Sequence, residues 1–119
     1  MKALFDHNLP RRFRQKLPGH EIKTAREMGW EALANGLLLK TAAAAKFDAF
    51  ISIDKNLQFQ QNLAALPLPV VVIDAPTNTL AALQPTAHIV LDLLKAPLDR
   101  ALYLVGPSGL VSRLTATRA

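Results

Sequence analysis

Short apolar runs, each ending on acidic or polar residues, alternate with longer amphipathic stretches along this 119-residue chain. The first run, KALF at residues 2–5, is bounded by Asp6-His7-Asn8 and predicts a buried strand. Leu9, Phe13 and Leu17 then recur at helical spacing. They predict a helix capped by Asn8, with Pro10 near its first turn and Pro18-Gly19 as its stop. HEIKTA at 20–25 alternates as a second strand, followed by a turn of helix around Arg26–Met28 that Gly29 closes. Asn35 stands at the cap of a helix over 36–46, whose sequence GLLLKTAAAAK is apolar on several faces. AFISI at 49–53 predicts a third strand, with Asp54 opening a helix over 55–64. VVVI at 70–73, after the Pro67–Pro69 linker, is a β-branched buried strand. Residues 79–95 predict a helix broken at Pro85. ALYLV, GPSG and LVSRL at 101–114 predict a strand, a turn and a second strand.

Strands alternating with helices predict a mainly parallel sheet covered on both faces, an α/β three-layer sandwich ending in a strand pair. The length suits one domain, residues 1–119. In that architecture Asp6 and Asp54 end parallel strands at one edge of the sheet, where open α/β sheets bind ligands. Either aspartate alone is explained as a helix cap; the pair at one edge points to a site. Asp74 ends the fourth strand on the same edge, and a turn before Pro76 accounts for it equally well.

Composition narrows the chemistry. Cysteine is absent, which excludes disulfides, thiolate metal sites and cysteine nucleophiles. The three histidines, His7, His20 and His88, have no metal-ligand spacing. Ser52 lies within a strand with no adjacent base, so a serine hydrolase is not suggested. Trp30 and Tyr103 read as packing residues. The apolar start is too short for a signal peptide and no run is long enough to span a bilayer, so a cytoplasmic protein without membrane contact is expected. The net charge of +5 favours phosphate-bearing partners, or serves solubility alone. Arg11, Arg12, Arg14 and Lys16 concentrate that charge on the first helix, where they either grip a phosphate backbone or form a solvated face.

LFDHNLP at 4–10, NGLLLKTAAAAKFDAFISIDKNLQFQQNL at 35–63 and the PVVVI that follows resemble the small PIN-like proteins, relatives of the PIN-domain ribonucleases that act as toxins in toxin–antitoxin pairs. The resemblance covers about residues 1–95 and is strongest in FDAFISIDKNLQFQQNL. It implies a PIN-like sheet whose carboxylates hold Mg²⁺ or Mn²⁺ for the hydrolysis of RNA, with Asp6 and Asp54 as both metal ligands and catalytic acids. Asn8, Arg11, Arg12, Asn35, Lys55 and Asn56 are the residues expected to meet substrate. It also implies RNA and an antitoxin protein as partners. The chain departs from the pattern twice. Leu37 stands where similar proteins carry Glu, and His7 stands where they often have Glu.

Two carboxylates ~5 Å apart repel by roughly 3 kcal/mol at an effective dielectric of about 20, which a cation or a proton relieves. With two acids rather than three or four, metal binding is expected to be weak and completed by substrate phosphate. The alternatives are a catalytically degenerate PIN-like fold that binds RNA or protein, and a receiver-like phosphoacceptor at Asp54. The last strand lacks the lysine a receiver uses. Apolar surface on the alanine-rich helix and the C-terminal strands is compatible with a homodimer.

Overall fold

The computed structural model describes residues 1–106 and 108–114. Pro107, in the predicted GPSG turn, and residues 115–119 lie outside the described residues. Six strands form one sheet: β1 (Lys2–Phe5), β2 (Glu21–Thr24), β3 (Ala49–Ser52), β4 (Val70–Ile73), β5 (Leu102–Val105) and β6 (Val111–Leu114). Their spatial order is β2-β1-β3-β4-β5-β6. All neighbours are parallel except β5 and β6, which pair antiparallel. The predicted α/β three-layer architecture with a C-terminal strand pair is the observed one.

The alternation of side chains along each strand divides the core in two. Ala3, Phe5, Ile51, Val71 and Ile73 face one layer, made of the helical segment after β1 and the segments between β4 and β5. Leu4, Phe50, Val70, Val72 and Leu102 face the other, where α1 (Asn35–Ala44) and α2 (Leu57–Gln60) lie. Strands β1, β3, β4 and β5 are therefore largely buried on both faces and read as continuous apolar runs, while the edge strand β2 alternates exposed and buried residues. Between β4 and β5, α3 (Leu80–Leu83) passes through a 3-10 turn (Gln84–Thr86) into α4 (Ala87–Leu94). The break falls at Pro85, as predicted, and the Thr79 hydroxyl caps α3 by accepting the Ala82 N–H at 3.2 Å. No helix among the described residues is long and apolar enough to cross a membrane.

Several local predictions need correction. The first helix is a 3-10 helix, Arg11–Lys16, preceded by Pro10 and not capped by Asn8. Asn8 and Leu9 are drawn instead into a turn around Asp6, and only six residues remain for the helix before Leu17. Residues 26–29 form turns, not helix; Gly29 closes them at φ +77°, where a residue with a Cβ is strained. The helix expected over 55–64 shortens to α2 and a separate 3-10 turn, Leu63–Ala65. Asn35 does not cap α1, which starts from Ala34 without a side-chain cap. Its amide has another partner.

Candidate functional site: the acidic edge of the sheet

From β1 the chain runs outward to β2; from β3 it runs the other way to β4. The order therefore reverses between β1 and β3, and ligands bind outside the carboxyl ends of strands at such a point. Asp6 and Asp54 follow the two strands that flank it. The register pairs Leu4 with Phe50 and Phe5 with Ile51, and the Asp6 N–H extends it by donating to the Ile51 carbonyl at 3.1 Å. One step further, Asp6 lies beside Ser52. Alternation then gives Leu4, Asp6, Phe50 and Ser52 one face of the sheet.

Ser52 is the centre of this arrangement. It is 0% exposed, its hydroxyl donates to Asp6 Oδ2, and its oxygen accepts the Asp54 N–H at 2.9 Å. One buried hydroxyl thus ties the carboxylate of the first acid to the backbone of the second. Asp6 is 3% exposed, and its Oδ1 accepts the N–H groups of Asn8 (3.0 Å) and Leu9 (3.2 Å). Burial raises the Asp6 pKa above the usual carboxylate value. The Ser52 hydroxyl, the two backbone N–H groups and the nearby His7 oppose that rise.

Asp54 is half-buried and is held differently. Its Oδ1 accepts the Asn56 N–H at 3.0 Å, fixing the turn that starts α2, and the Asn35 amide reaches its Oδ2 in a long contact of 3.5 Å. This is where Asn35 is engaged. Asp74 does reach the same edge, but its carboxylate is paired with Lys55 Nζ at 2.9 Å, so Lys55 serves Asp74 and not Asp54. The side chain of Asn8 is exposed, while its carbonyl accepts the Asn78 amide at 3.0 Å.

The basic residues divide as well. Arg14 is committed to Glu27 at 2.7 Å and to the Ile22 carbonyl at 3.3 Å. Arg11 and Arg12 are exposed, with no hydrogen-bond or ion-pair partner for either side chain among the described residues. Leu37, in the first turn of α1, is 54% exposed. On α2, Phe59 is 81% exposed, three residues beyond Asn56.

The donor chemistry fits a hard divalent cation in its most sparing form. Asp6 Oδ2 keeps a lone pair beyond the Ser52 hydroxyl and Asp54 Oδ2 carries only the long Asn35 contact, and Mg²⁺ is commonly bound by one or two carboxylates with waters and substrate phosphate completing the shell. No group of three or more His, Cys, Asp or Glu side chains converges among the described residues.

Sequence reasoning weighed Ser52 only as a hydrolase nucleophile and gave no site role to Phe59 or Arg26. Ser52 had a usable signal, since it lies two residues before Asp54 and so shares a strand face with the partner of Asp6. The exposure of Phe59 had none, because an apolar residue in an amphipathic stretch reads as core. No protein-family model, curated protein or solved structure matches the chain.

Proposed function

We propose that this chain is a PIN-like protein that holds single-stranded RNA across the acidic edge and cleaves it weakly with Mg²⁺ or Mn²⁺, in the manner of a toxin paired with an antitoxin. The observation that carries the reading is the Ser52 hydroxyl, which joins Asp6 to Asp54 at the point where the strand order reverses. Arg11 and Arg12 supply guanidinium groups, uncommitted among the described residues, for backbone phosphates beside that point. Phe59 offers a solvent-facing ring on which a base can stack. A divalent ion at Asp6 and Asp54 would polarise the phosphoryl oxygen under attack. Asn35 steadies the Asp54 carboxylate from α1.

Leu37 favours a second reading, in which the chain binds RNA or its protein partner without cutting. An exposed leucine occupies the first turn of α1, two residues from Asn35, where the resemblance leads one to expect a carboxylate. Incubating single-stranded RNA with Mn²⁺ and the native chain, Asp54→Asn or Leu37→Glu separates the two. Slow cleavage that Asp54→Asn abolishes and Leu37→Glu accelerates supports the nuclease. Binding without cleavage in the native chain supports the second reading. Absence of RNA binding at low salt overturns both as RNA readings.

A further inference from the structure

A cavity of about 510 Å³ opens at the carboxyl ends of β1 and β2, lined by Asp6, His7, Arg11, Thr24, Arg26 and Glu27 among others. Its volume falls within the ~300–1,000 Å³ typical of small-ligand sites. Two acids and two guanidinium groups line it, and their hydrogen bonds decide which sign of charge a ligand meets.

Both acids are hydrogen-bonded within the fold. Asp6 accepts from the Ser52 hydroxyl and from two backbone N–H groups. Glu27 Oε1 accepts Arg14 Nη1 at 2.7 Å and the Thr24 N–H at 3.0 Å, while the Thr24 hydroxyl accepts the Glu27 N–H at 3.1 Å. That reciprocal pair is a capping box closed on a turn, and it fixes the backbone on both sides of Arg26. The Glu27 pKa is lowered, first by the Thr24 N–H and then by Arg14, so this acid stays ionised and satisfied within the wall.

Both guanidinium groups are uncommitted. Arg11 and Arg26 are exposed, and neither side chain has a hydrogen-bond or ion-pair partner among the described residues. His7 adds a third polar group. Its Nε2 lies 3.3 Å from the Leu33 carbonyl, which can only accept, so Nε2 carries the hydrogen and Nδ1 is left for another partner. The cavity therefore presents two cations uncommitted among the described residues, Arg11 from the segment after β1 and Arg26 from the turn after β2.

We infer that this cavity is a receptor for a phosphate monoester, gripped between Arg11 and Arg26, the phosphate belonging to a free nucleotide or to the end of an RNA strand. Paired guanidinium forks match the oxygens of a dianionic phosphate, which a single lysine does not. The inference rests on the proposed RNA reading for the source of the phosphate, and on the cavity alone for its chemistry. An RNA whose terminal phosphate sits here has its neighbouring nucleotides beside Asp6, so strand ends are the preferred ligands of the edge.

Binding of one short RNA with a hydroxyl at both ends, a 5′-phosphate or a 3′-phosphate, measured by fluorescence anisotropy at fixed salt, tests this. Titration calorimetry with uridine monophosphate and with inorganic phosphate forms the second arm. A phosphorylated end is expected to tighten binding roughly tenfold or more, the effect of one charge-assisted contact. Arg26→Gln and Arg11→Gln are each expected to remove that advantage. Equal binding of hydroxyl and phosphorylated RNAs overturns the phosphate receptor and leaves the RNA reading standing. Nucleotide binding that Arg26→Gln abolishes, with no RNA binding of any kind, upholds the receptor and overturns the RNA reading. No binding of any phosphate ligand overturns the inference. Arg26 has no partner among the described residues, so an unchanged urea midpoint confirms that its variant is folded.

Discussion

Replacing Ser52 with alanine tests the hydrogen-bonded link on which the proposed site depends. The side chain is fully buried, and its hydroxyl is donor to Asp6 Oδ2 and acceptor for the Asp54 N–H. A hydrogen bond to a charged group contributes about 1.5–3 kcal/mol, and leaving the part-buried Asp54 N–H without its acceptor costs roughly 1 kcal/mol more. The expected loss is therefore about 2.5–4 kcal/mol, a large fraction of the ~5–15 kcal/mol that holds a domain together. For a chain of this size that lowers Tm by roughly 10–15 °C. Urea unfolding should show a reduced midpoint with an unchanged slope. The same substitution removes the strongest influence that holds the Asp6 pKa down, so the carboxyl resonance of Asp6 should titrate at higher pH than in the native chain. A stability loss below about 1 kcal/mol, with an unmoved Asp6 titration, would refute the link.

Asp6→Asn should flatten the pH dependence of stability. Burial raises the Asp6 pKa, so the native chain holds its proton longer than the unfolded chain, and stability falls as pH rises from the ordinary carboxylate value through the folded one. A decline that persists in the variant, measured by urea unfolding between acid and neutral pH, counts against this. Glu27→Gln should act in the opposite sense, because the Glu27 pKa is lowered. Its stabilisation is complete above the ordinary carboxylate value and is lost as pH falls through the folded one, so the native advantage over the variant should vanish in acid. Arg11→Ala combined with Arg12→Ala should reduce the salt dependence of single-stranded RNA binding by roughly 1–1.5 in log–log slope, and an unchanged slope removes them from the interface. Phe59→Ala should leave the urea midpoint within ~0.5 kcal/mol of native yet weaken RNA binding roughly fivefold or more; unchanged affinity excludes stacking there.

The sheet was legible because its inner strands are buried on both faces and so appear as unbroken apolar runs, while β2 shows the alternation of an edge strand. VVVI matches β4 residue for residue, and Pro85 breaks the following helices where its missing N–H requires. The helical caps were less legible, because capping residues are also good partners for distant groups. Asn35 has the right chemistry for a cap, but its amide serves Asp54, 19 residues away in sequence. Asp6 was read as closing a strand, and it also draws Asn8 and Leu9 into a turn that shortens the next helix. Lys55 follows Asp54 directly, yet its long side chain spans to Asp74, just past the end of the neighbouring strand β4. Local pattern specified these residue types, while the distant partners of Asn35 and Lys55 are supplied only by the assembled fold.

The acids of this edge do not give it an acidic surface. Asp74 is neutralised by Lys55 and Glu27 by Arg14. Asp6 is buried and saturated on one oxygen by backbone N–H groups, which leaves the Asp54 carboxylate as the most open of the set. Among the positive groups only Lys55 and Arg14 are consumed by these pairings, and Arg11, Arg12 and Arg26 remain uncommitted among the described residues. The local charge available to a ligand is therefore positive, in keeping with the net +5 of the whole chain. Such an edge attracts phosphate more strongly than it attracts a free cation. In the proposed function the RNA phosphates would therefore meet the edge before a divalent ion and would complete its shell, and Leu37→Glu tests whether position 37 limits cleavage.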